Sequence, residues 1–217
     1  MDAEEVYEIL LNRYGDMKWW PANNADEVII GAILTQNTSW KNVEKSLAVL
    51  SETGMLSLRE ISESDERKIK EAIRSSGFYN RKAVTLKVLA SEILKRYGSI
   101  EIMKAAPTSE VRDFLFSITG IGEETRDDIL LYALDIPVFI IDGYTRRIIT
   151  RIFKLREPAG KSRFAWETAN SLGKDAGKLK NFHAMLVQLG KDHCRPKPVC
   201  SGCPMKNICL YSKNNEL

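Results

Sequence analysis

Ser117-Ile118-Thr119-Gly120-Ile121-Gly122-Glu123-Glu124-Thr125-Arg126 holds two glycines around one apolar residue, and Asp142 follows it downstream. Glycine reaches backbone angles closed to other residues and lets a second chain come close, so Gly120-Ile121-Gly122 reads as a tight hairpin with Ile121 turned into a core. Apolar positions recur at helical spacing before it (Val111, Phe114, Leu115, Ile118) and after it (Ile129, Leu130, Ala133, Leu134), so the hairpin joins two helices. The second helix starts just past Gly122. Its unpaired N–H groups and positive dipole end then lie beside the glycines, suited to a phosphate. A lone Gly-x-Gly is weak evidence, since many plain helix connections carry one. The apolar run Ile136-Pro137-Val138-Phe139-Ile140-Ile141 adds weight, because it stops at Asp142-Gly143-Tyr144-Thr145-Arg146-Arg147. A carboxylate at the end of a buried run, beside two arginines, has the look of a placed group.

Together these residues resemble the helix–hairpin–helix and catalytic aspartate of the endonuclease III superfamily of DNA base-excision glycosylases. The family pattern reads Leu-Pro-Gly-Val-Gly-x-Lys-Thr-Ala and then Val-Asp-Thr-His. Here the matching residues are Ile118-Thr119-Gly120-Ile121-Gly122-Glu123-Glu124-Thr125-Arg126 and Ile141-Asp142-Gly143-Tyr144. The resemblance implies that Asp142 is catalytic and that Gly120, Gly122, Thr125 and Arg146 lie against DNA. It departs at one place: Glu124 stands where bifunctional members have a lysine nucleophile.

Outward from the hairpin the periodicity is helical almost everywhere. Asp2 can cap a first helix that Gly15 stops. Met17-Lys18-Trp19-Trp20-Pro21 is an aromatic linker, and helix resumes near Asp26. Ser39 can cap the next helix, Ser57-Leu58-Arg59-Glu60 is a capping box, and helices end at Gly77 and Gly98. Val138 to Ile141 follows a proline and is expected as an extended connector. The fold class is therefore all-α. By resemblance, residues 23–134 form a six-helix barrel domain, and residues 1–22 with 135–217 form a second, cluster-bearing domain.

At 217 residues and 44% apolar composition, the chain can build one large core or two small ones. Lys and Arg exceed Asp and Glu by 32 − 29 = 3, so DNA affinity must come from local clustering. Val28 to Leu34 and Ile136 to Ile141 are too short to span a bilayer. Met1-Asp2-Ala3-Glu4-Glu5 opens acidic, unlike a signal peptide. A monomer working in the cytoplasm, beside the nucleoid, is expected.

All four cysteines fall late, as Cys194, Cys200, Cys203 and Cys209, in the spacing C-x5-C-x2-C-x5-C. In a reducing compartment such a group binds metal more readily than it forms disulfides. Four thiolates suit either tetrahedral zinc or a [4Fe–4S] cube, and spacing alone does not choose. The superfamily's iron–sulfur loop is C-x6-C-x2-C-x5-C at the same location, so the resemblance implies a [4Fe–4S] cluster, with one gap shorter by a residue and zinc as the alternative. Arg195, Lys197 and Lys206 on this loop can meet DNA phosphates or simply face solvent.

Cleavage of an N-glycosidic bond builds positive charge on the sugar, as in glycoside hydrolysis. A carboxylate near C1′ stabilises that charge and can orient the attacking water, the role expected of Asp142. It can serve as a helix N-cap at the same time. Glu124 cannot form a Schiff base, so an enzyme without lyase activity is expected. Its own part is either a base contact or a favourable charge at a helix N-terminus.

The target base must leave the duplex for a pocket. Gln36 and Asn37, in Leu34-Thr35-Gln36-Asn37-Thr38-Ser39-Trp40, resemble the family's wedge into the vacated stack. Phe78-Tyr79-Asn80 resembles a second wedge loop, with Tyr79 as its contact. Trp19, Trp20 and Trp40 flank this segment as pocket walls, although tryptophans are more often plain core. The combination with Glu124 looks most like the 3-methyladenine glycosylase branch. Alkylated purines are cationic, and an indole face attracts a cation by ~0.5–2 kcal/mol. The substrate expected is duplex DNA carrying an alkylpurine, 3-methyladenine or 7-methylguanine. A uracil or thymine mismatch glycosylase, an oxidised-pyrimidine glycosylase with lyase activity, and a non-catalytic DNA-binding module are the rivals.

Overall fold

The computed structural model describes residues 2–154 and 159–214. The reading of the chain's opening touches Met1, and the expected second domain includes 155–158 and 215–217; these lie outside the described residues. Every regular element among the described residues is helical, and the proline-led run 137–141 carries no regular secondary structure. No helix among them is long and apolar enough to cross a membrane. The chain divides into two compact units, residues 20–136 and residues 1–19 with 137–217.

The continuous unit is built around α2 (Ala25–Leu34), which is buried along nearly its whole length. Asn24 caps it by accepting from the Glu27 N–H, and Asn23 in turn binds the Glu27 carboxylate through its backbone and side-chain amides. Asp26 accepts from the Leu58 N–H at 2.6 Å and so ties α2 to α4 (Leu58–Glu63). The capping box at Ser57 and Glu60 forms in full. Ser39 precedes α3 (Trp40–Glu52) in extended geometry, but its hydroxyl makes no cap bond; Asn42 donates instead to the Thr38 hydroxyl.

Next come α5 (Glu66–Ala72), a 3₁₀ turn at Arg74–Ser76 and the long α6 (Tyr79–Tyr97). Glycine at 98 ends α6, and Ser99 caps α7 (Ile100–Ala105). α8 (Thr108–Ser117) leads through the hairpin to α9 (Glu123–Asp128). α9 widens into a π-helical turn at Ile129–Ala133, buried throughout and packed on α2. Such turns insert one extra residue per turn and often mark functional positions.

The discontinuous unit packs α12 (Ala176–Asp192) against α1 (Ala3–Tyr14) and α10 (Gly143–Phe153). Asp2 and Gly15 bound α1, as its sequence predicts. Tyr7 meets Phe182 edge to face at 5.6 Å, and Asn181 both accepts from the Met17 N–H and donates to the Gly15 carbonyl. At Gly190 the Tyr144 ring lies so near that a Cβ would stand 2.4 Å from it, and this contact sets the α10–α12 approach. α11 (Ala159–Ser171) brings Phe164 to Phe139 and Phe153. α13 (Leu210–Asn214) closes the described chain and packs on α10.

Candidate active site

The hairpin glycines prove unequal. Gly120 has φ +94°, and a Cβ there would stand 2.3 Å from the Thr85 hydroxyl of α6. Fold and backbone both require a glycine. Gly122 has φ −89°, ordinary for any residue, and a Cβ there would meet nothing within 4 Å. The expectation that both glycines use the left-handed region therefore holds only for the first. Ile121 is buried, as its place between them predicts.

Gln36 leans onto this hairpin. Its amide donates to the Gly120 carbonyl at 3.0 Å and to the Thr125 hydroxyl at 2.9 Å, so Thr125 is engaged internally. Asn37 is exposed at φ 52°. Lys82 of α6 is 3% exposed and donates to Leu34 O at 2.8 Å and Ser76 O at 2.7 Å, which ties the end of α2 to the 3₁₀ turn before α6. Burial pulls its ammonium down to about 8. At the second loop, Phe78 is left-handed (φ 46°) and 65% exposed, whereas Tyr79 is half-buried with the Arg74 guanidinium 5.5 Å from its ring centroid. The projecting aromatic is Phe78, one residue before the side chain favoured from sequence. Glu124 is exposed beside Glu123 in the first turn of α9.

The three tryptophans part company. Trp20 meets Trp40 edge to face at 5.6 Å and the Tyr132 ring of the π turn at 4.9 Å. Its backbone is left-handed (φ 72°), strained for a bulky side chain, and its indole lies on Gly31, whose Cβ would stand 3.4 Å from Nε1. Tyr132 escaped the sequence reading because ordinary helical spacing does not predict a π turn. Trp19 belongs to the discontinuous unit, where Lys191 Nζ lies 4.9 Å from its ring centroid. That face already holds a cation.

In the discontinuous unit Asp142 caps α10, accepting from the Thr145 N–H at 2.6 Å through Oδ1. Its other oxygen faces Nε2 of His183, on α12, at 3.8 Å. Burial pushes this carboxyl upward, but the His183 imidazole and the Thr145 N–H outweigh it and hold Asp142 below the usual carboxylate range. One of the chain's two histidines thus adjoins the aspartate. Arg146 is exposed on the first turns of α10.

Farther along α10, Arg147 donates to the Cys194 carbonyl at 2.7 Å. Arg151 donates to the Cys194 sulfur at 3.3 Å, to Arg195 O and to Pro196 O. Cys194, Cys200, Cys203 and Cys209 line one cavity floored by Ile148 and Met205, and all four are half-buried free thiols. Burial raises the Cys203 thiol to about 11, with Cys194, Cys200 and Cys209 adding to the rise against a Met205 amide that lowers it. Such a thiol is no nucleophile at neutral pH, whereas a bound metal would deprotonate it. Among the described residues no group of three or more His, Cys, Asp or Glu side chains is placed to hold a single metal ion.

The family profile "HhH-GPD superfamily base excision DNA repair protein" matches residues 30–170. A Methanocaldococcus jannaschii protein, provisionally named a DNA repair glycosylase, is 44% identical over 208 residues, covering 95% of this chain and 94% of that one. Endonuclease III of Sulfolobus acidocaldarius is 32% identical over 195 residues, covering 88% and 84%. Among solved structures, a Helicobacter pylori 3-methyladenine DNA glycosylase bound to 1,N6-ethenoadenine superposes with a TM-score of 0.77 at 30% identity, covering 88% of this chain and 98% of that one. The all-helical fold, the Gly120–Gly122 hairpin and these likenesses agree: the chain belongs to the HhH-GPD superfamily of base-excision DNA repair proteins and is an endonuclease III-like DNA glycosylase.

Proposed function

We propose that the enzyme is a monofunctional glycosylase that hydrolyses the glycosidic bond of alkylated purines, 3-methyladenine above all, flipped from duplex DNA. The observation that carries this reading is the aromatic group of Trp20, Trp40 and Tyr132, built on a strained Trp20 backbone over Gly31. Strain of this kind persists where the surrounding structure enforces it, and it gathers at functional positions. Indole faces favour a cationic purine over a neutral one by ~0.5–2 kcal/mol. The likeness to a structure named as a 3-methyladenine glycosylase supports the same substrate class. Trp19, already paired with Lys191, contributes less to base binding than Trp20 and Trp40.

Asp142 acts on the sugar. Held as a carboxylate, it stabilises positive charge at C1′ as the base departs and orients the water that replaces it. The alkylated base leaves readily because it already carries charge. An exposed glutamate at 124 offers no amine for a Schiff base, so the strand is left intact at an abasic site. Gly122, which the fold does not need as glycine, leaves room for a DNA phosphate at the hairpin, with Arg146 as a further phosphate contact. Asn37 and Phe78 are the free wedge side chains, and Gln36 and Tyr79 support them.

The four cysteines fit a [4Fe–4S] cube better than zinc. The spacing resembles the superfamily's iron–sulfur loop more than the two Cys-x2-Cys pairs of a zinc ribbon, and a cube presents a separate iron to each thiolate. Bound, it would supply a fourfold cross-link of the loop, and base hydrolysis rests on the chain's own residues. The protein works as a monomer on chromosomal DNA in the cytoplasm.

The test offers purified protein a set of duplexes, each with one damaged or mismatched base, and a methylated duplex. Release of 3-methyladenine without a borohydride-trapped protein–DNA adduct is expected. Trp40→Ala should lower release of the cationic base roughly tenfold more than that of any neutral base accepted. Robust uracil release with no 3-methyladenine release would overturn the substrate, and a high yield of trapped adduct would overturn the monofunctional reading.

A further inference from the structure

Asp142 divides its two oxygens between two partners. Oδ1 receives the Thr145 N–H and is fixed by the helix start, while Oδ2 faces the buried His183 imidazole at 3.8 Å. That separation is too long for a direct hydrogen bond, yet well inside the range where one charge alters another. The side chains of His183 and Asp142 are only 6% and 13% exposed, so solvent screens the pair weakly.

Other charged groups stand on the elements packed around the pair. On α10, Arg146 is exposed, and Arg147 and Arg151 bind the cysteine loop. On α12, Lys178 is exposed, Lys180 is half-buried, Lys191 lies over Trp19, and Asp192 accepts from Tyr14 and Gln188. On α1, Glu4, Glu5, Glu8 and Arg13 are exposed, and burial holds the Tyr7 phenol above its ordinary value and therefore neutral. Lys213 on α13 is exposed.

We infer that His183 is a positioning residue that sets how much negative charge Asp142 presents to the reacting sugar. With the imidazole neutral, the carboxylate is uncompensated and fully available to positive charge at C1′. With the imidazole protonated, the pair is neutral as a whole and base release slows. The inference rests on Asp142 being the reactive carboxylate. It places the acid limb of the rate profile at the titration of His183. Asp142 ionises at lower pH, because its neighbours hold it below the usual range.

Two histidines in the chain make the imidazole signals easy to resolve by NMR, with His193→Gln assigning them. In wild type the His183 titration midpoint should coincide with the acid limb of single-turnover release from dimethyl-sulfate-treated duplex DNA. In Asp142→Asn that midpoint should fall by about one pH unit or more, because the neighbouring negative charge is gone. In His183→Gln the acid limb should move at least about one unit toward acid, leaving the variant about tenfold less inhibited at pH 5 than wild type, each measured against its own plateau. A His183 midpoint unmoved by Asp142→Asn overturns the coupling, whatever the substrate and whether or not His183→Gln folds. An acid limb unmoved in a folded His183→Gln overturns the kinetic role. If Asp142→Asn still releases bases like wild type, the reading of Asp142 itself falls; if it is inactive while the His183 measurements show no coupling, only the present inference falls.

Discussion

Asp142 joins an observed helix cap to the proposed reactive charge in one side chain. Asparagine caps helices about as well as aspartate, so Asp142→Asn should keep the start of α10 and lose, near neutral pH, only the increment that the depressed carboxyl contributes. Base release should nevertheless fall by at least about a thousandfold, with duplex affinity within a few-fold of wild type, as single-turnover kinetics and a binding titration would show. The pH dependence of stability follows from the depressed carboxyl. A group whose folded pKa lies below its unfolded value stabilises the fold above the unfolded pKa, and that contribution is lost as pH falls through the folded pKa. Wild type should lose this increment in acid, and Asp142→Asn should show a shallower acid-side decline in chemical denaturation. Asp142 was visible in the sequence because an apolar run stops at it. His183 was not, since a histidine among Leu179, Phe182 and Leu186 looks like any polar interruption of a buried helix face. Phe78 escaped for a similar reason: only its left-handed backbone turns the ring outward.

The hairpin shows what an element can ask of two residues of one type. Gly120→Ala forces a Cβ into Thr85 at φ +94°, so it should destabilise the protein by about 1–3 kcal/mol, a fall of roughly 2–10 °C in Tm for a chain of this size. Gly122→Ala meets neither obstacle and should leave Tm within about 1–2 °C. If a phosphate approaches there, the same change should weaken duplex binding several-fold. Thermal melts and fluorescence anisotropy on the two variants separate the roles, and a Gly122→Ala protein that melts early would assign that glycine to the fold. Helix positions, the Ser57 capping box and the glycine stops were legible because capping chemistry is local. The hydroxyl cap expected at Ser39 was not, because Asn42 and Thr38 pair instead. Nor was the π turn, whose extra residue aims Tyr132 at Trp20 and emerges only from packing on α2.

At the scale of the molecule, the cysteine loop depends on more than its own sequence. Arginines from α10 satisfy three of its carbonyls, and four half-buried thiols surround its cavity. Anaerobically purified protein should be brown and carry about four irons and four sulfides per chain. Cys203→Ser should lose the colour and unfold at lower temperature, and a colourless protein with stoichiometric zinc would decide for the other metal. The all-helical fold could be read from periodicity because the cores are built from helix faces of ordinary spacing. Which residues of distant segments meet, such as Asp142 with His183, depends on crossings that periodicity does not encode.

The discontinuous unit also carries a clock. Val6, Tyr7 and Leu10 of α1 are buried beside α12, which follows only after the whole continuous unit, and the Met17–Asn181 bond cannot form before then. A ribosome adding about 5–20 residues per second delivers α12 on the order of ten seconds or more after α1. Meanwhile the continuous unit, residues 20–136, has been made complete. α1 is thus made before that unit yet buried only after it, and for that interval its apolar stripe is what a nascent-chain chaperone would meet.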